Sequence, residues 1–233
     1  MDEKALRKIG KTALEVTAKS VISQIPIGGA LINNVWGAVQ AHSLQKRQEQ
    51  WRDNIEQKLS QLNKSLEELG NNEIFVSAVI KGTEAAIKTA EAEKREYLAN
   101  AVLHSVDTAL SESVVMIYMD LIERYTLWHI KILHYFKNPA ASEGVKKENY
   151  YMGSVLRPLF DHFPNLQEVN GEVVEKILND LVTDGMLQKI SWHTTMTADG
   201  MLESRTTQLG SSFIDFITQF PDETDRTDFP KRS

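Results

Sequence analysis

From Ser20 to Gln45 the chain runs for 26 positions without an Asp, Glu, Lys or Arg, as SVISQIPIGGALINNVWGAVQAHSLQ, and charged helical patterns flank this stretch on both sides. Such a composition suits a buried helical hairpin, or a segment that meets a membrane. Ile25, Pro26, Ile27, Gly28, Gly29, Leu31, Ile32, Val35 and Trp36 mark it. Before it, Leu6, Ile9, Ala13, Val16 and Val21 approximate one face of a helix over residues 3–24, with Lys4, Lys8, Lys11, Glu15 and Lys19 on another. Pro26 ends that helix, because proline disfavours helical backbone in the residue before it.

A long helix is expected from about Ala30 to Leu69. In its second half Trp51, Ile55, Leu59, Leu62, Leu66 and Leu69 step by 4, 4, 3, 4 and 3, close to a heptad seam. A helix of about 40 residues would be roughly 60 Å long. It therefore calls for several partners inside the chain or for another protomer, and the seam is a candidate association surface. Gly70-Asn71-Asn72 stops this helix and restarts the next, with Asn72 as N-cap. Further helices are expected over NEIFVSAVIKGTEAAIKTA, over AEAEKREYLANAVLHSVDTAL, and from about Ser113 to Lys137, where apolar residues surround most of the circumference.

Asn138-Pro139 opens a loop to about Lys147, and the pattern changes beyond it. Residues 150–163 and 171–183 read as helices and Asp184-Gly185 as a turn. Met186 to Trp192 and Leu202 to Thr207 read as strands joined by a turn at Ala198-Asp199-Gly200. A closing helix is expected at 211–220, and the polar residues 221–233 as a disordered tail. The fold class is thus mainly α. Residues 1–138 form a helical bundle with one long helix, and residues 148–220 a winged-helix-like α+β module.

Two resemblances bear on this. Leu181-Val182-Thr183-Asp184-Gly185-Met186-Leu187 and Thr207-Gln208-Leu209-Gly210-Ser211-Ser212-Phe213-Ile214-Asp215-Phe216-Ile217 resemble the end of the second helix and the closing helix of winged helix-turn-helix domains. That likeness implies a fold and leaves the function open. Pro26-Ile27-Gly28-Gly29-Ala30-Leu31-Ile32, Lys46-Arg47-Gln48-Glu49-Gln50-Trp51 and Glu93-Lys94-Arg95-Glu96-Tyr97-Leu98-Ala99-Asn100-Ala101 resemble an uncharacterised group of bacterial helical proteins. This second likeness implies a bacterial or prophage origin and brings no functional residue with it.

Charge narrows the functions. Residues 1–148 carry 19 basic and 19 acidic side chains, and residues 149–233 carry 7 and 13, so the net charge of −6 lies in the C-terminal part. In a winged helix that reads DNA, cations neutralise phosphates around the helix before the wing. Here that helix holds Glu172, Glu175, Asp180 and Asp184 against Lys176 alone, which disfavours nucleic acid. Cysteine is absent, which excludes disulfides, thiolate metal sites and a cysteine nucleophile. Among the six histidines, His129 and His134 stand five apart, off the i, i+4 spacing of a helical metal pair. GxSxG, GxxxxGK[ST] and GxGxxG do not occur. No catalytic, cofactor-binding or metal-ligating residue is expected, and no enzyme activity. The start, MDEKALRKIGKTALEV, lacks the pattern of a signal peptide, so a cytoplasmic location is expected. The leading expectation is a non-catalytic interaction or regulatory protein that binds a protein partner or itself. The alternatives are a membrane-active effector of phage defence or cell killing, using the 20–45 hairpin, and a winged-helix DNA regulator.

Overall fold

The computed structural model describes residues 35–60, 62, 64–106 and 110–218, with the side chains of 35–42 and 66 outside that description. The expected helix at 3–24, the Pro26-Gly29 break and the tail at 221–233 lie outside the described residues. Among the described residues the chain is mainly helical, with ten α-helices and one two-stranded sheet. It divides into two compact units, Met1–Glu123 with Phe216–Ser233, and Arg124–Asp215. Asn138-Pro139 falls inside the second.

The first unit begins with α1 (Val35–Leu59) and a short α2 (Leu66–Gly70), followed by α3 (Glu73–Lys88), α4 (Ala92–His104) and α5 (Glu112–Arg124). The single helix expected over 30–69 is therefore interrupted. Ser65 and Glu68 form a capping box: the Glu68 amide donates to Ser65 Oγ at 3.2 Å, and the Ser65 amide to Glu68 Oε2 at 2.7 Å. These bonds satisfy amides that a fresh helix start would leave orphaned. The restart at Asn72 follows the same physics, its Oδ1 accepting from the Phe75 amide at 3.0 Å.

Helices α1, α3 and α4 pack on one another. Trp51, Ile55 and Leu59 of α1 are buried against an interior that includes Ala78, Val79 and Ala86 of α3 and Leu98, Ala99 and Val102 of α4. Small residues bring the axes together. A Cβ added to Gly82 would lie 2.9 Å from Val102 Cγ2 and 3.5 Å from Trp51 Cη2. The buried indole N–H donates to Thr83 Oγ1 at 2.9 Å, and that hydroxyl donates to Val79 O at 2.7 Å, so no polar atom of this contact is stranded. Phe216 stands 5.1 Å from the Tyr118 ring, and buried Asn100 donates to Ile217 O at 2.9 Å.

The helix expected over 113–137 is also two helices. Thr126 separates α5 from α6 (Leu127–Lys137). It caps α6 in extended backbone, its amide donating to His129 Nδ1 at 3.2 Å. The remainder of the second unit is β1 (Met152–Gly153), α7 (Leu156–His162), α8 (Gly171–Thr183), β2 (Met196–Thr197), α9 (Ala198–Leu202) and α10 (Gln208–Ile217), whose last two residues belong to the first unit. The helix expected over 150–163 keeps only α7. Pro158 is tolerated there because it falls in the first turn, where its missing amide has no intrahelical partner to lose.

The expected hairpin is corrected. Residues 198–202 form helix α9, which Thr197 caps through Oγ1 and the Gly200 amide, where a turn was expected. The two expected strands meet only at a single antiparallel bridge, Leu187 to Thr206. Gln188 N donates to Arg205 O at 2.8 Å and Thr207 N to Met186 O at 3.0 Å on either side of it. The strand that does pair with Met196–Thr197 is β1, antiparallel, with Met152 opposite Thr197. The core of this unit is Ile130, Leu133 and Phe136 of α6, Val174, Ile177, Leu178 and Leu181 of α8, Leu159, Met201, Phe213 and Ile214.

Candidate functional site

Helix α8 presents an acidic exposed face in the second unit. Glu172 sits in its first turn, where a carboxylate favours the positive end of the helix dipole, and Asn170 Oδ1 caps it by accepting from the Glu172 amide at 2.9 Å. Its end is a Schellman motif: Met186 N donates to Leu181 O at 2.8 Å and Gly185 N to Val182 O at 3.0 Å. Gly185 supplies the left-handed backbone this requires, with φ +74. With Val174, Ile177, Leu178 and Leu181 turned inward, Glu172, Val173, Glu175, Lys176 and Asn179 are exposed. Val173 is 47% exposed, an apolar side chain between carboxylates. Lys176, the only cation of α8, is tied to Asp180 at 2.5 Å. Glu175 accepts from His193 Nε2 at 2.9 Å.

Behind this face lies a polar cluster joining α6 to α8. The Tyr125 hydroxyl donates to Asp184 Oδ2 at 2.7 Å, and Arg124 reaches the same oxygen at 2.9 Å. His129, buried, stacks on Tyr125 with centroids 4.9 Å apart and planes 4° apart. Its Nδ1 accepts from the Thr126 amide, which fixes the proton on Nε2, and Nε2 faces Asp180 Oδ2 at 3.4 Å. Burial holds the imidazole pKa below its ordinary value, against the pull of Asp180. Lys176 and then His129 hold the Asp180 carboxyl below the usual carboxylate range. Both ring nitrogens are engaged, so the pair works as a clasp between helices and leaves no nitrogen to take a proton from a substrate.

The residues marked in the sequence fall in different places. Of the heptad seam, Trp51, Ile55, Leu59 and Leu69 are buried within the first unit, Leu62 is half-buried, and the Leu66 side chain lies outside the described residues. Of the charge-free stretch, Ile25, Pro26, Ile27, Gly28, Gly29, Leu31 and Ile32 lie outside the described residues. Val35 and Trp36 begin α1, their side chains undescribed. Among the described residues no helix is long and apolar enough to cross a membrane, and no group of three or more His, Asp or Glu is placed to hold a metal ion.

The two stretches that carry the winged-helix likeness meet. Thr207 Oγ1 donates to Gly185 O at 2.6 Å and accepts from the Gly210 amide at 3.0 Å, so one hydroxyl ties the end of α8 to the start of α10. A Cβ on Gly210 would stand 2.3 Å from Met186 O. Sequence reading did not find the Tyr125–Asp184 and His129–Asp180 contacts. Their only local trace is Thr126-x-x-His129, a capping-box spacing with histidine where glutamate usually stands. No protein-family model, curated protein or solved structure matches this chain.

Proposed function

We propose that the chain is a non-catalytic interaction or regulatory protein, and that the outward face of α8 is its recognition surface. The partner is a protein presenting basic side chains around an apolar contact. One observation carries this reading: on α8 the carboxylates Glu172 and Glu175 are exposed around Val173, while the helix's only cation is paired with Asp180. A duplex brought to that face would meet Glu172 and Glu175 with Lys176 as the helix's single cation, itself beside Asp180, which weighs against nucleic acid. Interfaces place an apolar anchor inside a charged rim, and that is the arrangement here. The description of residues 148–220 as winged-helix-like is supported by the Leu187–Thr206 bridge and by the Thr207 and Gly210 contacts with Gly185 and Met186. Such folds also serve as protein-binding modules.

The test compares the wild-type chain with a Val173→Asp, Glu175→Lys variant as bait in cytosolic extract. The expected result is a protein that the variant loses at unchanged thermal stability, and that rebinds the wild type after purification with a salt-sensitive affinity. If every captured protein binds both baits equally, or if the wild type is retained on duplex DNA at low salt, the reading fails.

A further inference from the structure

The C-terminal end of α3 is capped from outside its own helix. Two arginines from two other helices converge on it. Arg47 of α1 donates from Nη1 to Ile87 O at 3.1 Å, and Arg95 of α4 donates from Nη1 to Thr89 O at 3.2 Å. These carbonyls are two residues apart, so the guanidinium groups are neighbours. Arg95 is only 8% exposed, and its second bond, from Nη2 to Gln50 Oε1 at 3.0 Å, is to a neutral amide.

Neither arginine is paired with a carboxylate among the described residues. None of the acids nearby in sequence is bonded to either guanidinium. Glu49 takes Gln45 at 3.1 Å, and Glu96 takes Asn54 at 2.8 Å together with Lys58. Glu91, one turn before Arg95, is exposed and unpaired with it. The other cations at this end, Lys88 and Lys94, both turn to Glu123, through its carboxylate and its carbonyl respectively. A helix C-terminus supplies about half a negative charge. Set against two full positive charges, that leaves a surplus well above one. The two groups therefore repel, and Arg95 feels its own desolvation and then Arg47, with no acid in compensation. Buried charges in folded proteins are ordinarily paired.

The site is also open to a ligand. Arg47 Nε, Arg47 Nη2 and Arg95 Nε make none of these three bonds and are not among the buried polar atoms that lack a partner, so these nitrogens keep some contact with solvent. They are the planar donor arrays that suit oxyanions.

The geometry points to an oxyanion site between Arg47 and Arg95 at the end of α3, matched in charge to a phosphate dianion, either free or as a monoester. The bound group joins α1 to α4 across the α3 terminus by giving both guanidinium groups a shared acceptor. It is independent of the α8 surface, which lies in the other unit.

The probe is inorganic phosphate, added to the full chain at constant ionic strength with chloride as the balancing anion, with thermal unfolding as the readout. Phenyl phosphate and acetate run in parallel arms. The expected result is a saturable rise in Tm with inorganic phosphate, with acetate giving none at the same concentration, and Arg47→Gln weakening the apparent affinity by roughly tenfold or more, as loss of a charged contact does. A stronger effect of phenyl phosphate identifies a monoester as the better ligand, and an equal or weaker one identifies free phosphate. Arg47 is half-buried and makes one protein bond, so its variant folds with a lower baseline, and the phosphate-dependent increment is what is read. Arg95→Gln is the second variant. No rise with either phosphate, an equal rise with acetate, or an undiminished rise in Arg47→Gln would overturn the assignment.

Discussion

Two glycines show how a single missing methyl group can be required for different reasons. Gly82 lies inside α3, where the Cβ of alanine would meet Val102 Cγ2 at 2.9 Å and Met119 Cε at 3.2 Å. Met119 Cε ends a flexible side chain that can swing away, whereas Val102 is β-branched, buried and held in one rotamer, so it must shift by a few tenths of an ångström. Against that, alanine gains about 1 kcal/mol in helix propensity over glycine. At Gly210 the same Cβ would stand 2.3 Å from Met186 O and 3.1 Å from Met186 C. That carbonyl cannot move cheaply, because it accepts the Thr207 amide at 3.0 Å. The start of α10 would have to lift off the end of α8. Gly210→Ala is therefore expected to cost about 1–3 kcal/mol or more, the range for overpacking, while Gly82→Ala stays within about 1 kcal/mol of wild type, its propensity gain offsetting part of its crowding. Denaturant unfolding of the two variants measures the difference, and equal losses would contradict the assignment. The glycine in the stretch TQLGSSFIDFI thus keeps two backbones in contact.

Among the elements, legibility follows how local the cause is. The helix expected over 171–183 is Gly171–Thr183, because its cap, its apolar spacing and its glycine stop all lie within the segment. The break between α1 and α2 is spelled locally by the capping box Ser65-Leu66-Glu67-Glu68. A regular apolar seam ran across the break and outweighed it. The division at Thr126 was hidden in the same way by continuous apolar residues. The turn expected at 198–200 became a helix because Thr197 caps it, while the strands beside it found little pairing. In the candidate site, the acidity of α8 could be read directly. The clasp could not, since His129 and Asp180 are 51 residues apart. That clasp makes a prediction at its own scale. His129 is buried neutral with a depressed pKa, so the unfolded chain binds its proton first. Its contribution is complete above the unfolded value of about 6.5 and declines as the pH falls toward the folded value. Protonation at Nδ1 would also set an N–H against the Thr126 amide and break the cap of α6. His134 is depressed by desolvation and then by Lys137, but it is solvent-exposed, so what it adds in the same direction is small. Asp180 is a depressed carboxylate and acts lower, below its ordinary value near 4. Melting temperature should therefore fall between pH 7 and 5, with a shallower slope in His129→Gln. An unchanged slope in that variant would locate the titration elsewhere.

For the molecule as a whole, what matters is the apolar seam that runs from α1 into α2. Read alone, Trp51, Ile55, Leu59, Leu62, Leu66 and Leu69 could face another protomer. In the fold, Trp51 is 1% exposed, Ile55 0%, Leu59 5% and Leu69 2% within a single chain. A surface already covered by α3 and α4 has little area left to offer a second copy, and a specific interface needs about 800 Å² from each partner. The indole is further committed through its bond to Thr83, whose hydroxyl continues to Val79 O. Truncating it would open a cavity beside Gly82 and leave Thr83 with one bond fewer. Trp51→Ala is therefore expected to lose about 3–5 kcal/mol of stability, the range for removing a large buried aromatic. It should leave the molar mass measured by light scattering unchanged at concentrations where the variant is still folded. Exposed apolar residues such as Ile80, Ile117 and Val173 are the ones free to meet other proteins, and Val173→Asp should leave stability alone. If Trp51→Ala lowers the molar mass while the fold survives, the seam lies between protomers, and the packing of α1 on α3 and α4 would have to form differently in solution.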